Sequence, residues 1–331
     1  MSLKTKSARG FRIRAGWLLA ALALFFFSGC ISLGSITPSR LREEVVQTSE
    51  KRLDWNKIAI IDIDGAIGIR RGLLGLSGTA VTDVKQKLKH AEEDSRVRGV
   101  LLRINSPGGE VVSCDLIYHE IMEFRRRSGK PVVAYMMNMG ASGGYYVALA
   151  SDHIVSHPAA ITGSVGVIMN FVNIEMLTQM LGIESTPITS GEKKDMGSAT
   201  RQMTEEEMEM FAEMNQLLFD RFIGLVAAQR NISGDDLDIV ADGRLLLASQ
   251  ALELGLVDSV GMMDDALDEV KRRAGIRTAH IVAYTPFQHY NRNIYASFQA
   301  QGSQTDFLKQ LTQALTIEAE PQLLYMWAPG R

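Results

Sequence analysis

The run Val97-Arg-Gly-Val-Leu-Leu-Arg-Ile-Asn105, the segment Val112 to Ser128 behind it, and Pro131-Val-Val-Ala-Tyr-Met-Met137 after that decide the fold. The first and last runs are almost continuously apolar and end in turn residues, the pattern of strands buried on both faces. The segment between them carries apolar residues at helical spacing. Strand, helix and strand in that order predict a right-handed crossover between parallel neighbours. The alternation continues in both directions. Upstream, Lys57-Ile-Ala-Ile-Ile-Asp-Ile63 is a buried strand, and Val81 to Glu93 is an amphipathic helix after a Gly-rich loop from Gly65 to Gly78. Downstream come a small-residue helix from Ser142 to Ala150, a strand around His153 to Ser156, a Gly-punctuated segment Thr162 to Val167 and a helix around Ile174 to Leu181. Thr204-Glu-Glu-Glu207 has capping-box spacing and opens a long helix to about Arg230. Ala248 to Leu254 and Met263 to Ala274 read as further helices, and His280 to Tyr284 as a last strand. The fold class is therefore α/β, with one domain over 55–285.

With 331 residues, 46% hydrophobic and 22% charged, the chain is long enough for a sizeable core and is not broadly disordered. A net charge of -3 supplies no basic field for nucleic acid, which excludes that class of partner. The cysteines are Cys30 and Cys114, too few for a metal site built from several thiolates.

Lys4, Lys6, Arg9, Arg12 and Arg14 precede the apolar run Trp17 to Phe27, an export pattern in which positive charge holds the N-terminus in the cytoplasm. Phe27-Ser28-Gly29-Cys30 follows. It resembles a bacterial lipobox, with Phe27 where leucine is usual, and implies lipidation of Cys30 in segment 1–30. An uncleaved signal anchor running through Leu33 is the competing reading. Both place the folded domain outside the cytoplasm, in the bacterial cell envelope and attached to membrane lipid. Residues 31–54 are polar and read as a tether with a short helix, and 286–331 as a Gln- and aromatic-rich C-terminal arm, helical near Phe307 to Ile317.

The chemistry concentrates where the third strand ends. Asn138-Met-Gly140-Ala-Ser142-Gly-Gly144-Tyr-Tyr146 places a serine in a tight turn flanked by glycines at the start of a helix. Such a turn tolerates strained backbone, and the unpaired N–H groups of the helix start stabilise a developing negative charge. Gly140-Ala-Ser142-Gly-Gly144 also fits the nucleophile-elbow pattern. A nucleophilic serine needs a base. In the chain order of α/β-hydrolases, His280 or His289 would serve, with Asp258 or Asp264 as the acid. A lysine serves equally if its surroundings bring its pKa towards about 7 to 8.

Five segments in order carry a resemblance: Ile104-Asn-Ser-Pro-Gly108-Gly109, Gly140-Ala-Ser142-Gly-Gly-Tyr-Tyr146, Ile161-Thr-Gly-Ser164-Val-Gly-Val167, Ser190-Gly-Glu-Lys-Lys194-Asp195, and Asp242-Gly-Arg244 with Gly255-Leu-Val-Asp258. Over roughly 57–275 the chain resembles the signal peptide peptidase A family, Ser/Lys-dyad serine proteases of the ClpP/crotonase fold, in their half-size form. The resemblance implies Ser142 as nucleophile, Lys194 as base and Ser164 as the serine that orients the uncharged lysine. Lys193 beside it is then a solvated charge. Gly108 or Gly109, with Gly143, would donate N–H groups to the oxyanion. It implies no metal and no cofactor. Hydrophobic peptides such as signal-peptide remnants are the implied substrates, and a closed homo-oligomeric ring, with serine and lysine from adjacent subunits, the implied assembly. Three other readings stand beside this one: an esterase using Ser142 with a distal histidine, a membrane-tethered scaffold without turnover, and an acyl-CoA enzyme.

Overall fold

The computed structural model describes residues 41–51, 54–68, 80–285 and 322–326. In chain order these form β1 (Arg42–Gln47), β2 (Lys57–Asp64), α1 (Ala80–Glu93), β3 (Val97–Ser106), β4 (Gly108–Glu110), α2 (Val111–Ser128), β5 (Val132–Ala141), α3 (Gly143–Ala148), β6 (His153–Ser156) and β7 (Ile161–Gly163). They continue as β8 (Ile168–Asn170), α4 (Glu175–Met180), α5 (Glu205–Arg230), α6 (Asp235–Ala241), β9 (Leu245–Leu247), α7 (Ala248–Glu253), β10 (Ser259–Val260), α8 (Met263–Ala274), β11 (His280–Thr285) and β12 (Gln322–Met326). The architecture is α/β, as the sequence predicts.

The main sheet has the order β1-β11-β2-β3-β5-β6-β10, and along it only the β1–β11 pair is antiparallel. Its central strands β2, β3 and β5 are mostly apolar because both faces are covered, and the period of two divides them between two cores. Ala59, Ile61, Val100, Leu102, Val132 and Ala134 pack with Val84 and Leu88 of α1 and Ile117, Ile121 and Phe124 of α2. Ile58, Ile60, Leu101, Val133 and Tyr135 face the other way, onto Met263, Leu267 and Val270 of α8. Each fully buried aliphatic side chain contributes about 1.5–3 kcal/mol, so a one-residue slip of β3 would exchange the two cores and is strongly disfavoured. The sheet thereby fixes where its strands end, and β3 and β5 end at the glycine corners.

The elements differ from the sequence reading in several places. Arg42–Gln47, inside the segment read as a tether with a short helix, is an edge strand: Glu43 pairs with Tyr284 and Val45 with Val282, Val46 is buried, and Lys57 Nζ joins Glu43 at 2.5 Å and Asp94 at 2.9 Å. The third strand runs four residues past Met137, to Ala141, because a register shift after Ile104 lets Ser106 pair with Gly140. The C-terminal arm contributes β12, which lies antiparallel between β4 and β8. The export segment with Cys30, the helix expected near Phe307 to Ile317, and His289 lie outside the described residues. Among the described residues no helix is long and apolar enough to cross a membrane.

Candidate active site

Ser142 is the residue at which β5 leaves the sheet. Its backbone sits at φ 50°, ψ -115°, and the side chain is buried at 1% exposure. A non-glycine residue in the left-handed region is held there only by its surroundings. The Ser142 N–H donates to Gly163 O at 2.8 Å, and its own carbonyl accepts the Tyr146 N–H at 2.8 Å. The following helix is locked from two sides: Tyr145 Oη donates to Leu256 O at 2.8 Å, and Tyr146 Oη donates to Asp115 Oδ1 at 2.6 Å, which Arg221 also engages. Burial pushes both tyrosine hydroxyls well above their ordinary range, so they remain donors. The paired tyrosines of the serine motif and the Gly255–Asp258 motif thus belong to one structural unit.

Ser164 follows the neighbouring strand in the same way. Ala141 pairs with Gly163, so Ser142 and Ser164 leave adjacent parallel strands together, and Ser164 also has φ 50°. Its N–H donates to Arg244 O at 2.8 Å, and β9 beside it pairs with β7. The Asp242-Gly-Arg244 motif therefore contributes a backbone carbonyl that fixes the second serine.

The glycine corner faces them. Ser106 Oγ donates to Gly65 O at 2.7 Å and accepts the Gly108 N–H at 3.1 Å. A Cβ on Gly109 would lie 1.8 Å from Ile67 O, and one on Gly144 would lie 2.8 Å from Ser106 O. Only glycine permits either approach. The serine turn and the glycine corner consequently pack backbone against backbone where Gly144 meets Ser106. β12 runs along the outer side of this corner, Tyr325 opposite Gly109 and Leu324 opposite both Glu110 and Ile168.

The lysine is elsewhere. Residues 181–194 are exposed throughout, and Lys194 lies on a loop whose turns are closed by Lys194 N–H to Gly191 O and Ser198 N–H to Asp195 O, both at 3.1 Å. Lys193 is ion-paired with Glu206. Among the described residues no hydrogen bond joins Ser142 to Lys194 or to any histidine or carboxylate. Within one chain the structure brings Ser142 and Ser164 to adjacent strand ends beside the glycine corner, and Lys194 is exposed with no hydrogen bond to Ser142.

The His280 reading fails on geometry. His280 opens β11 opposite Lys57, at the end of the parallel sheet where its strands begin, and accepts the Ser49 N–H at 3.1 Å. Ser142 follows the other end of β5. Asp258 is held by Arg230 at 2.8 Å and by the Ile154 N–H at 2.7 Å, and Asp264 lies in the first turn of α8 on the far core. None of these groups is placed to take a proton from Ser142.

Comparison with known proteins bears on the same residues. The model of peptidase family S49 matches residues 124–277, a span that takes in Ser142, Ser164, Lys194 and Arg244. A putative protease, slr0021, of Synechocystis is 37% identical over 220 residues, covering 66% of this chain and 75% of that protein. This chain belongs to peptidase family S49. A putative signal peptide peptidase SppA of Enterococcus faecium is 37% identical over 198 residues, covering 60% of this chain; the S49 chain described here spans 57% of that relative's length. Among solved structures it is similar to a ClpP1 variant of Listeria monocytogenes at 20% identity and a TM-score of 0.40, covering 65% of this chain and 95% of that one.

The sequence allows Asp195 to pair with Arg201, as it does, but sequence reasoning missed that Arg201 also joins the lysine loop to α5. The signal was present in Thr204-Glu-Glu-Glu207, whose last residue both caps the helix and accepts from that arginine.

Proposed function

We propose that this S49 chain is a serine endopeptidase that cleaves extended hydrophobic peptides through Ser142 and Lys194. The observation that carries the reading is the backbone of Ser142, held at φ 50° in a buried turn against a corner of glycine N–H groups. Stored strain at an otherwise regular sheet end is the mark of a positioned nucleophile. Uncharged Lys194 takes the proton of Ser142 as Oγ attacks the peptide carbonyl, the N–H groups of Gly143 and the Gly108–Gly109 corner receive the oxyanion, and the proton passes to the leaving amine. Water then enters by the same lysine, and the acyl-enzyme is hydrolysed. Ser164, beside Ser142 in register, orients the amine.

The substrate binds as a strand. β12 occupies the space between β4 and β8 as an antiparallel neighbour of both, next to Gly109, and a peptide taking its place would present main-chain carbonyls to that corner. Since Lys194 is exposed and makes no hydrogen bond to Ser142, the base comes from an adjacent copy in a closed ring, a heterologous contact that rotational symmetry satisfies at every site. The printed name of the Enterococcus faecium relative and the cationic and apolar N-terminus support signal-peptide remnants as substrates and a membrane-attached enzyme in the cell envelope, lipidated at Cys30. Wild type treated with a serine-directed phosphonofluoridate should gain one adduct, on Ser142, and lose peptide hydrolysis in parallel. Adduct formation on another serine, or hydrolysis that survives full modification, contradicts the proposal.

A further inference from the structure

The loop that carries Lys194 belongs to neither sheet nor helix, and beyond its own turns it must be fastened to the fold by side chains. Arg201 supplies it. Its Nε and Nη2 donate to the Asp195 carboxylate at 2.9 and 3.2 Å, and Nη2 also reaches the Asp195 carbonyl at 3.2 Å. On its other side Nη1 and Nη2 donate to the two oxygens of Glu207, at 2.9 and 2.5 Å. Glu207 is 2% exposed and sits at the third position of α5, where it accepts the Thr204 N–H at 3.0 Å while Thr204 Oγ1 accepts the Glu207 N–H at 3.2 Å. The loop is thus fastened through one guanidinium to the first turn of a 26-residue helix. Asn173 adds a bond from Nδ2 to the Arg201 carbonyl at 3.0 Å, and Ile174 N–H donates to Ala199 O at 2.7 Å.

Charge follows the same geometry. Glu207 faces a helix N-terminus, whose partial positive charge offsets it. That leaves the Arg201 cation to offset Asp195, the residue next to the lysine. The other ionisable groups of the loop and the facing turn are Glu184, Glu192, Glu205, and Lys193 with Glu206, the last two neutralising each other as a pair.

We propose that Arg201 is the positioning residue for Lys194: it fixes the lysine loop onto α5 and cancels the carboxylate charge of Asp195 beside the amine. The proposal rests on the reading of Lys194 as the base. A lysine presented from a loop to a serine on another protomer needs a fixed origin, and the planar, bidentate fork of arginine gives one where lysine would not.

The test uses the full-length detergent-solubilised protein, with peptide hydrolysis measured against pH for wild type, K194A, R201Q, R201K, D195N and the R201Q/D195N double variant. R201Q should lower kcat on the order of 10- to 100-fold with little change in KM, as expected for a misplaced base. Its acidic limb should move to higher pH by about one unit, because the uncompensated carboxylate holds the proton on the amine. D195N should move the limb the other way, the double variant should return it near its wild-type position while the rate stays low, and R201K should keep the limb and recover part of the rate. An R201Q enzyme with an unmoved limb, at any rate, overturns the proposal. Should R201Q not fold, the D195N limb decides, and a limb that stays still or moves upward overturns it. An active K194A would instead defeat the base assignment, which separates that failure from this one.

Discussion

The Ser142 corner and the Lys194 loop are opposite solutions to holding a reactive side chain. The serine is buried, its backbone pinned by β5, β7 and two tyrosines, and its neighbours are glycines that touch backbone to backbone. The lysine is exposed, and its loop is held by ion pairs to one helix. The first half of the site is finished when the chain folds. The second is presented outward, and on our proposal is completed by a neighbour. On the same proposal a nucleophile without its base would be inert, and the division would keep an unassembled protomer from hydrolysing peptides.

The largest effect expected from breaking this pair is at the serine. S142A should lose about 10³-fold or more in kcat while its melting temperature holds, because one oxygen is removed and every backbone restraint remains. Calorimetry beside the assay checks both halves. K194A should lose activity to a similar degree, whereas K193A should keep it within about threefold, since an exposed pair such as Lys193–Glu206 contributes at most about 1 kcal/mol. Equal losses in the two lysine variants would mean that the loop acts through its shape and not through Lys194.

The glycine corners separate stability from chemistry. G109A meets Ile67 O at 1.8 Å and should cost more than about 3 kcal/mol in urea unfolding. G144A, at 2.8 Å from Ser106 O, should cost about 1–3 kcal/mol and should also reduce turnover in the protein that remains folded.

The smallest effect concerns the loop side. Hydrogen bonds from Arg201, then from the Thr204 N–H, bring the Glu207 carboxyl from its ordinary 4.5 down to about 2. A depressed carboxylate contributes stability that is fully present above its unfolded pKa and disappears as pH falls through the folded one. The melting-temperature difference between wild type and E207Q should therefore be constant above pH 4.5, shrink between there and about 2, and vanish below. A difference that persists under strong acid would assign the effect to packing.

The strands of the main sheet were legible because burial on both faces leaves an unbroken apolar run that few other structures produce. The capping box at Thr204 and the turn at Ser142 were legible for a similar reason, each being a local device with its own residue types. β4, β8 and β12 were not. They are three to five residues long, too short for a period, and each depends on a partner far away in sequence. β1 was misread because its polar and charged residues suit an edge strand as well as a tether. The motif residues Ser142, Ser164 and Lys194 could be named from the sequence, and the family resemblance implies a serine and a lysine from adjacent subunits, but their spacing alone does not distinguish a contact within one chain from a contact between chains.

That separation is the central claim, and complementation tests it most directly. S142A and K194A proteins, each inactive, are unfolded together, refolded as a mixture and assayed against each refolded alone. If the site is shared between protomers, about a quarter of the interfaces in an equal mixture join an intact serine to an intact lysine, and the mixture recovers about that share of wild-type activity. If both residues act within one chain, no combination restores a complete site, and a co-assembled mixture that stays as inactive as its components contradicts the account.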